Sequence, residues 1–213
     1  MQPMRTEKYR EIATHLNPTR GDLNRVSVVT GVSGCGKDYL LGHVLEQGNL
    51  PVGVTVFSFG EELFQVLKSK YPLLTSRDDI KSMLTSDQLM DGICHTIDSV
   101  LDRQPAILNT HVAYKQGINI STNPRVESRI NAKNYVFVWA EPEQVVEWRQ
   151  QDTSRQREPE SVEDVAIHQA LALATIITMA KYLGSGVHTI HNECSSVSTS
   201  LSDLNQYISE GVS

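Results

Sequence analysis

An α/β fold, with a parallel sheet covered by helices on both faces, is what this 213-residue sequence predicts. Three observations predict it. Short β-branched runs are apolar on consecutive residues, as in strands buried on two faces. These runs alternate with helical patterns. The first run joins its helix through the glycine-rich turn Gly31-Val32-Ser33-Gly34-Cys35-Gly36. The length suits one domain with small appendages.

Residues 4–16 read as a short amphipathic helix, halted before Asn17-Pro18 because a residue preceding proline is pushed out of helical geometry. Residues 1–24 are thus a helical extension to a domain spanning 25–213. Val26–Thr30 is the first strand, and a helix follows from about Lys37 to Gln47. Val52–Phe57 is the second strand, leading through Ser58-Phe59-Gly60 into a helix over Glu61–Lys70. Helices are expected near Ser76–Leu84 and over Ser86–Arg103, with Ser86 as the cap of the latter. Pro105–Asn109 and Tyr135–Trp139 are the third and fourth strands.

Glu141-Pro142 opens a helix to about Arg149, using proline in the first turn. A polar, arginine-bearing segment follows, about 149–160. A long helix from about Ser161 to Leu183 ends at Gly184, and a fifth strand, Val187–His191, precedes a terminal helix near Ser198–Ile208. No internal repeat or low-complexity linker interrupts the series.

The net charge of −6 argues against a broad nucleic-acid face, which needs Lys and Arg to neutralise phosphates. Cys35, Cys94 and Cys194 form no CxxC, so neither a zinc site nor a disulfide framework is suggested, and a reducing cytosol fits. The N-terminal MQPMRTEKYREIATHL lacks the apolar centre of a signal peptide. Val165–Ala180, the most apolar run, contains His168 and Gln169 and falls short of the ~20 residues a membrane span needs. A buried helix is expected there, and no membrane partner. His188 and His191 should point to opposite faces of their strand, a poor metal pair.

Gly31–Lys37 fits GxxxxGK directly after a strand and before a helix. Glycines let backbone N–H groups turn inward around phosphate oxygens, the helix N-terminus adds partial positive charge, and Lys37 adds a full one. Cys35 reads as a tolerated small residue, since nothing nearby in sequence offers it a base. At the position after the lysine, where a Ser or Thr hydroxyl usually meets magnesium, stands Asp38. That favours a kinase over a switch GTPase or motor ATPase; the plainer reading is a first-turn acid favoured by the helix dipole.

Val28-Val29-Thr30-Gly31-Val32, Val56–Gly60, Ser76-Arg77-Asp78, Asn109-Thr110-His111, the arginine-rich segment 149–157 and Glu163…His168-Gln169 occur in an ordered series. Over about residues 25–208 that series resembles the archaeal-type adenylate kinases. The resemblance implies a P-loop NTPase three-layer sandwich with a five-stranded parallel sheet and a short lid at about 149–160. It also implies magnesium-dependent transfer of the terminal phosphoryl group of ATP to AMP, in the cytoplasm and commonly as a trimer.

By the same resemblance, Gly31, Val32, Ser33, Gly34, Cys35, Gly36, Lys37, Asp38 and Tyr39 would hold the donor phosphates. Ser58, Phe59, Gly60 and Arg77 would bound the monophosphate site. His111, at the carboxyl end of the third strand where open α/β sheets bind ligands, is a candidate substrate contact on position alone. Lys37, Arg149, Arg155 and Arg157 would be the catalytic cations, the three arginines belonging to the lid. Mobile arginines suit phosphoryl transfer, which is mostly positioning and charge neutralisation.

Two departures stand out. The family's third-strand Asp-Thr-His is here Asn109-Thr110-His111, which removes a carboxylate from the metal's neighbourhood, while Asp38 adds one. Tyr39 stands where related Gly-Lys-Asp loops continue with Thr. Asp38 and Asn109 are therefore the expected metal-site pair. Two rival functions share the core: a small-metabolite kinase, and a nucleotide-binding regulatory module without turnover.

Overall fold

The computed structural model describes residues 23–213, except 49, 78, 117–118, 123, 153–159 and 194–196. The expected helix over 4–16, Arg155 and Arg157 lie outside the described residues. In chain order the elements are β1 Asn24–Thr30, α1 Lys37–Glu46, β2 Thr55–Ser58, α2 Phe59–Lys70, α3 Asp79–Met83 and α4 Ser86–Leu101. They continue with β3 Ala106–Asn109, β4 Ala113–Gln116, β5 Asn119–Thr122, α5 Pro124–Ile130 and β6 Ala132–Trp139. Last come α6 Pro142–Gln151, α7 Val162–Leu183, β7 Gly186–His191 and α8 Val197–Val212.

Five strands form one sheet in the order β2-β3-β1-β6-β7, every neighbour parallel, so β1 lies at its centre. Alternation along β1 divides the core in two. Val26 and Val28 face a cluster with Ile97, Val100, Tyr135, Phe137, Ala172 and Ile176, which brings in α4 and α7. Val29 faces the other side, where Leu40, Leu41, Leu204, Ile208 and Val212 bring in α1 and α8. All of these are at least nine-tenths buried, which places two helical layers around one sheet.

Ser27, between those valines, is the buried polar exception. Its hydroxyl donates to Asn134 Oδ1 at 2.7 Å or to the Ile208 carbonyl at 2.9 Å. Arg25 Nε donates to the Val212 carbonyl at 2.9 Å, so the central strand is tied to the last helix twice. Gly211 is required at this crossing, because a Cβ there would meet both Asn134 Oδ1 and Ser27 Oγ.

Several boundaries differ from expectation. Residues 52–54 form a turn, and β2 begins at Thr55, whose N–H bonds the Pro105 carbonyl. The cap of α4 is Thr85 rather than Ser86: its hydroxyl accepts from Gln88 N while the Gln88 side chain accepts from Thr85 N. The helix expected at 76–84 is the single turn α3, where one Asp79 oxygen accepts from the Thr75 and Ser76 amides and the Thr75 hydroxyl. The β4–β5 hairpin and α5 had no counterpart in the sequence reading, and α8 runs to Val212 rather than Ile208.

The apolar run 165–180 lies within a 22-residue helix, α7, which by length and composition alone could cross a bilayer. Val165, His168, Gln169, Ala172, Ile176, Met179, Ala180 and Leu183 are buried, so this face belongs to the protein core. Ile167, Leu171, Ile177 and Tyr182 are exposed, which makes it a one-sided core helix rather than a fully buried one. Ser161 caps its start, and Gly184, at φ 80°, ends it in the left-handed conformation.

Among the described residues, Glu127 on α5 is an acid buried in the core. Glu127 is 4% exposed, and burial, partly offset by the Tyr135 hydroxyl, pushes its carboxyl up to about 7 from 4.5. A raised folded-state value means that its contribution to stability is fully present below pH 4.5 and is lost as pH rises through 7. Glu127→Gln should therefore gain stability relative to wild type as pH rises across this window, by at most about 3 kcal/mol at pH 8. Urea unfolding at several pH values checks this; a difference that does not vary with pH would show that Glu127 ionises normally.

Candidate functional site

Because β1 is central, the turn that leaves its carboxyl end opens at the middle of the sheet edge, where open α/β sheets bind ligands. Gly34 and Gly36 both take φ 82°, a conformation that favours glycine. The loop is also crowded. A Cβ on Gly31 would lie 2.6 Å from the Val138 carbonyl, one on Gly34 2.8 Å from Arg149 Cγ, and one on Gly36 would strike the Asn192 amide. All three glycines are therefore fixed by close approach, and two of them also by backbone conformation.

Lys37 starts α1 and is 5% exposed. Its Nζ lies 3.4 Å from His111 Nε2 and 3.6 Å from Asp38 Oδ1. His111 Nδ1 is 2.7 Å from the Gly31 carbonyl, which only accepts, so Nδ1 carries the proton and Nε2 offers its lone pair to the ammonium. Burial, reinforced by the Lys37 charge, pushes the imidazole down to about 3, so it stays neutral. A depressed histidine contributes stability above its ordinary 6.5 that is lost as pH falls towards 3.

Cys35 is fully buried, and burial pushes its thiol up, against any nucleophilic role. Its carbonyl accepts from Asn192 Nδ2 at 2.9 Å. Asn192 is itself held by its own N–H on the Trp139 carbonyl at 2.7 Å, so the end of β7 braces the loop from behind. Gln169 on α7 grips the end of β6 in the same manner, donating to the Ala140 carbonyl at 2.9 Å and accepting from Ala140 N at 3.3 Å. Neither Asn192 nor Gln169 was among the candidate residues. The signal for Asn192 was its place one residue beyond a strand's carboxyl end.

Asp38 projects to solvent, and its Oδ1 accepts from Asn109 Nδ2 at 2.6 Å. These two expected partners, 71 positions apart, are thus in contact. Tyr39 is 55% exposed and stacks edge-on against His43 at 4.4 Å, on the outer surface of α1. Ser58 ends β2 opposite Asn109, placing the two on neighbouring strand ends. Phe59 points into the core, so what it offers the site is backbone alone. Arg77 pairs with Glu61 at 3.2 Å and reaches over Gly60, where a Cβ would lie 2.9 Å from its Nη1.

Arg149 differs from its expected placement at the start of a mobile segment. It lies in the last turn of α6, a helix that continues to Gln151. Its Nε and Nη2 donate to the Ser33 carbonyl at 2.8 and 2.6 Å, and its Nη1 pairs with Glu160. The guanidinium therefore braces the outer wall of the glycine loop through the backbone.

Magnesium takes oxygen ligands and is usually held by one or two carboxylates together with substrate phosphates and water. The Asp38 carboxylate is a donor of that type, whereas Asn109, the other expected ligand, turns its NH₂ group to Asp38 and its carbonyl oxygen is buried, so it meets the cation only through Asp38. Among the described residues no three His, Cys, Asp or Glu side chains gather into a cage. The residues present fit a cation carried in largely by its nucleotide. His188 stacks on Tyr207 at 4.1 Å while His191 lies against Trp139, and they form no pair.

A phosphate-cradling glycine turn leaving the central strand of a five-stranded parallel sheet, with a buried lysine at its end, defines a P-loop kinase-type domain. Residues 30–166 match the family described as an AAA domain, and the chain belongs to that family. It is 29% identical over 169 residues to an adenylate kinase of Thermoplasma acidophilum, covering 78% of this chain and 89% of that protein. An adenylate kinase of Methanoculleus marisnigri is 27% identical over 187 residues, 85% of this chain and 97% of its own. Among solved structures, shikimate kinase from Bacteroides thetaiotaomicron superposes with a TM-score of 0.51 at 11% identity, covering 85% of this chain and 96% of the other. A sugar kinase from Janibacter sp. HTCC2649 gives 0.52 at 11%, covering 87% and 94%. These two likenesses establish the fold.

Asn192→Ala should weaken nucleotide affinity about tenfold, equivalent to about 1.4 kcal/mol, with the folded state retained. Calorimetric titration with ATP checks this, and unchanged affinity would show that the brace is dispensable. The ring protons of His111 should show no titration between pH 5 and 8 by NMR. A midpoint near 6.5 would mean that the imidazole is not held neutral.

Proposed function

We propose that the chain is a magnesium-dependent nucleoside monophosphate kinase, with ATP as donor and AMP as acceptor. The observation that carries this reading is the buried Lys37 at the end of the glycine loop, backed by a histidine whose lone pair is directed at it. The adenylate kinase names of relatives spanning 78% of the chain and more support the choice of acceptor.

In this reading the loop amides of 31–37 enclose the β- and γ-phosphates of ATP, and Lys37 neutralises charge that builds on them in transfer. His111 keeps the ammonium in place without adding a competing charge. The acceptor phosphate lies over Gly60, at the start of α2, where helix amides and Arg77 attract it. Arg77 exchanges its Glu61 carboxylate for phosphate oxygens. An acceptor oxygen attacks the γ-phosphorus, the bond to the β–γ bridging oxygen breaks, and two nucleoside diphosphates leave. Magnesium, when bound with ATP, shields the phosphate oxygens from one another. Arg149 acts indirectly, by holding the Ser33 carbonyl and hence the loop's shape.

A coupled assay of ADP formation from ATP with AMP, CMP, GMP, UMP and their deoxy forms, with and without magnesium, tests the proposal. Turnover should be fastest with AMP and should require the metal. ATP binding without turnover on any monophosphate would replace the kinase by a binding module, and turnover on a sugar or acid alone would move the acceptor. Lys37→Met should lower turnover by ~10² or more while preserving the circular dichroism of the fold. Wild-type turnover in that variant would remove the loop from the chemistry.

A further inference from the structure

Asp38 and Asn109 meet at the mouth of the glycine loop in an arrangement that structural packing alone does not explain. Asp38 is the second residue of α1, and Asn109 is the last of β3, beside Val29 of the central strand. An ionised carboxylate only accepts hydrogen bonds, so an amide facing it must present its NH₂ group. The 2.6 Å bond from Nδ2 therefore fixes the orientation of the whole Asn109 amide. Its carbonyl oxygen is consequently directed into protein, where it is buried and has no hydrogen-bond partner. Asn109 leaves one of its own acceptors unsatisfied in order to hold the Asp38 carboxylate.

The position of that carboxylate is electrostatically costly for a bare nucleotide. It stands 3.6 Å from Lys37 Nζ, so it offsets part of the cation that the phosphates need and repels the phosphates directly. A divalent cation between carboxylate and phosphates reverses the sign of that interaction. We propose, on the basis of the kinase reading above, that Asp38 is the protein's magnesium-facing carboxylate, aimed by Asn109, and makes the loop select metal-bound nucleotide over free nucleotide. Asn109 follows from Asp38. A second carboxylate at 109 would face the first at hydrogen-bond distance, and both could not ionise without a cation between them.

Titration calorimetry of ATP with EDTA and with magnesium, on wild type and Asp38→Asn, measures this selection directly. The substitution keeps the shape of the side chain and a hydrogen-bonding partner for Asn109. Asp38→Asn should bind metal-free ATP more tightly than wild type and magnesium–ATP less tightly, so that the gain due to metal falls about tenfold or more. Electron paramagnetic resonance of manganese with ADP should show the matching weakening of metal affinity. Asn109→Asp should melt at a lower temperature than wild type in EDTA and recover when magnesium is added. In Asp38→Ser with Asn109→Asp, much of the metal-dependent gain lost by Asp38→Ser should return, because the two sites are coupled.

An unchanged metal-dependent gain in Asp38→Asn would overturn the proposal and leave Asp38 as a first-turn acid. Strictly additive effects across the double variant would do the same. Failure of wild type to bind ATP with or without metal would overturn the kinase reading itself, and is told apart by that control.

Discussion

A buried ammonium is tolerable only where acceptors surround it, and Lys37, 5% exposed, is such a group. The carboxyl edge of the sheet is organised around meeting that requirement. His111 offers a lone pair because its other nitrogen is committed to the Gly31 carbonyl. Gly31 can turn its carbonyl that way because it has no side chain to strike Val138 and Cys35. Asn192 holds the Cys35 carbonyl and Arg149 holds that of Ser33, so two of the loop's carbonyls are tied to protein side chains. One cation is thus matched by the tautomer of a histidine and the identity of a glycine, while two side chains more than a hundred residues away hold the loop that carries it.

The middle of the sheet was legible because β1, β3 and β6 are short and largely apolar on successive residues, as two-sided burial requires, and the alternation with helices did the rest. The runs at Val26–Thr30 and Tyr135–Trp139 lie wholly within β1 and β6. The β4–β5 hairpin was not legible. Tyr114, Lys115, Asn119 and Ser121 carry no apolar alternation, and the hairpin pairs only with itself. The Ser86 cap was misplaced by one position because Thr85 and Ser86 are both competent caps. The deciding factor is Gln88, three residues after Thr85, which closes the reciprocal bond. The exposed face of α7 is illegible for a related reason: periodicity fades when Ile167, Leu171 and Ile177 are apolar on the solvent side too.

At the site, sequence spacing located the loop, the lysine and the unusual acid after it, because these are neighbours in the chain. Their contact with Asn109 was accessible only through the wider motif series, since β3 must pair with β1 before residues 38 and 109 meet. Asn192 was missed because a neutral amide has no distinctive pattern, and Gln169, although part of the motif series, carried no role there. Each reveals its role only through the backbone it grips. The lid role of Arg149 is what the resemblance implies; in the structure its side chain fills the space that a Cβ on Gly34 would need. Tyr39 and Phe59 show the complementary case, side chains adjacent to site residues in the chain that helical geometry turns towards His43 and the core.

The seam between β1 and α8 has a consequence for the way the chain is made. The first strand of the sheet occupies its centre, yet Ser27 and Arg25 find their partners on Ile208 and Val212, at the end of the last helix. During synthesis the nucleotide loop therefore leaves the ribosome long before the helix that supports it. Val29 has no cover on its α8 side until Leu204 and Ile208 have emerged. At ~5–20 residues added per second, this leaves the apolar centre of the molecule open for roughly ten to forty seconds. A holding chaperone would have that interval in which to act, and a ribosome stalled before residue 204 would present a nascent chain whose central strand is still uncovered on that side.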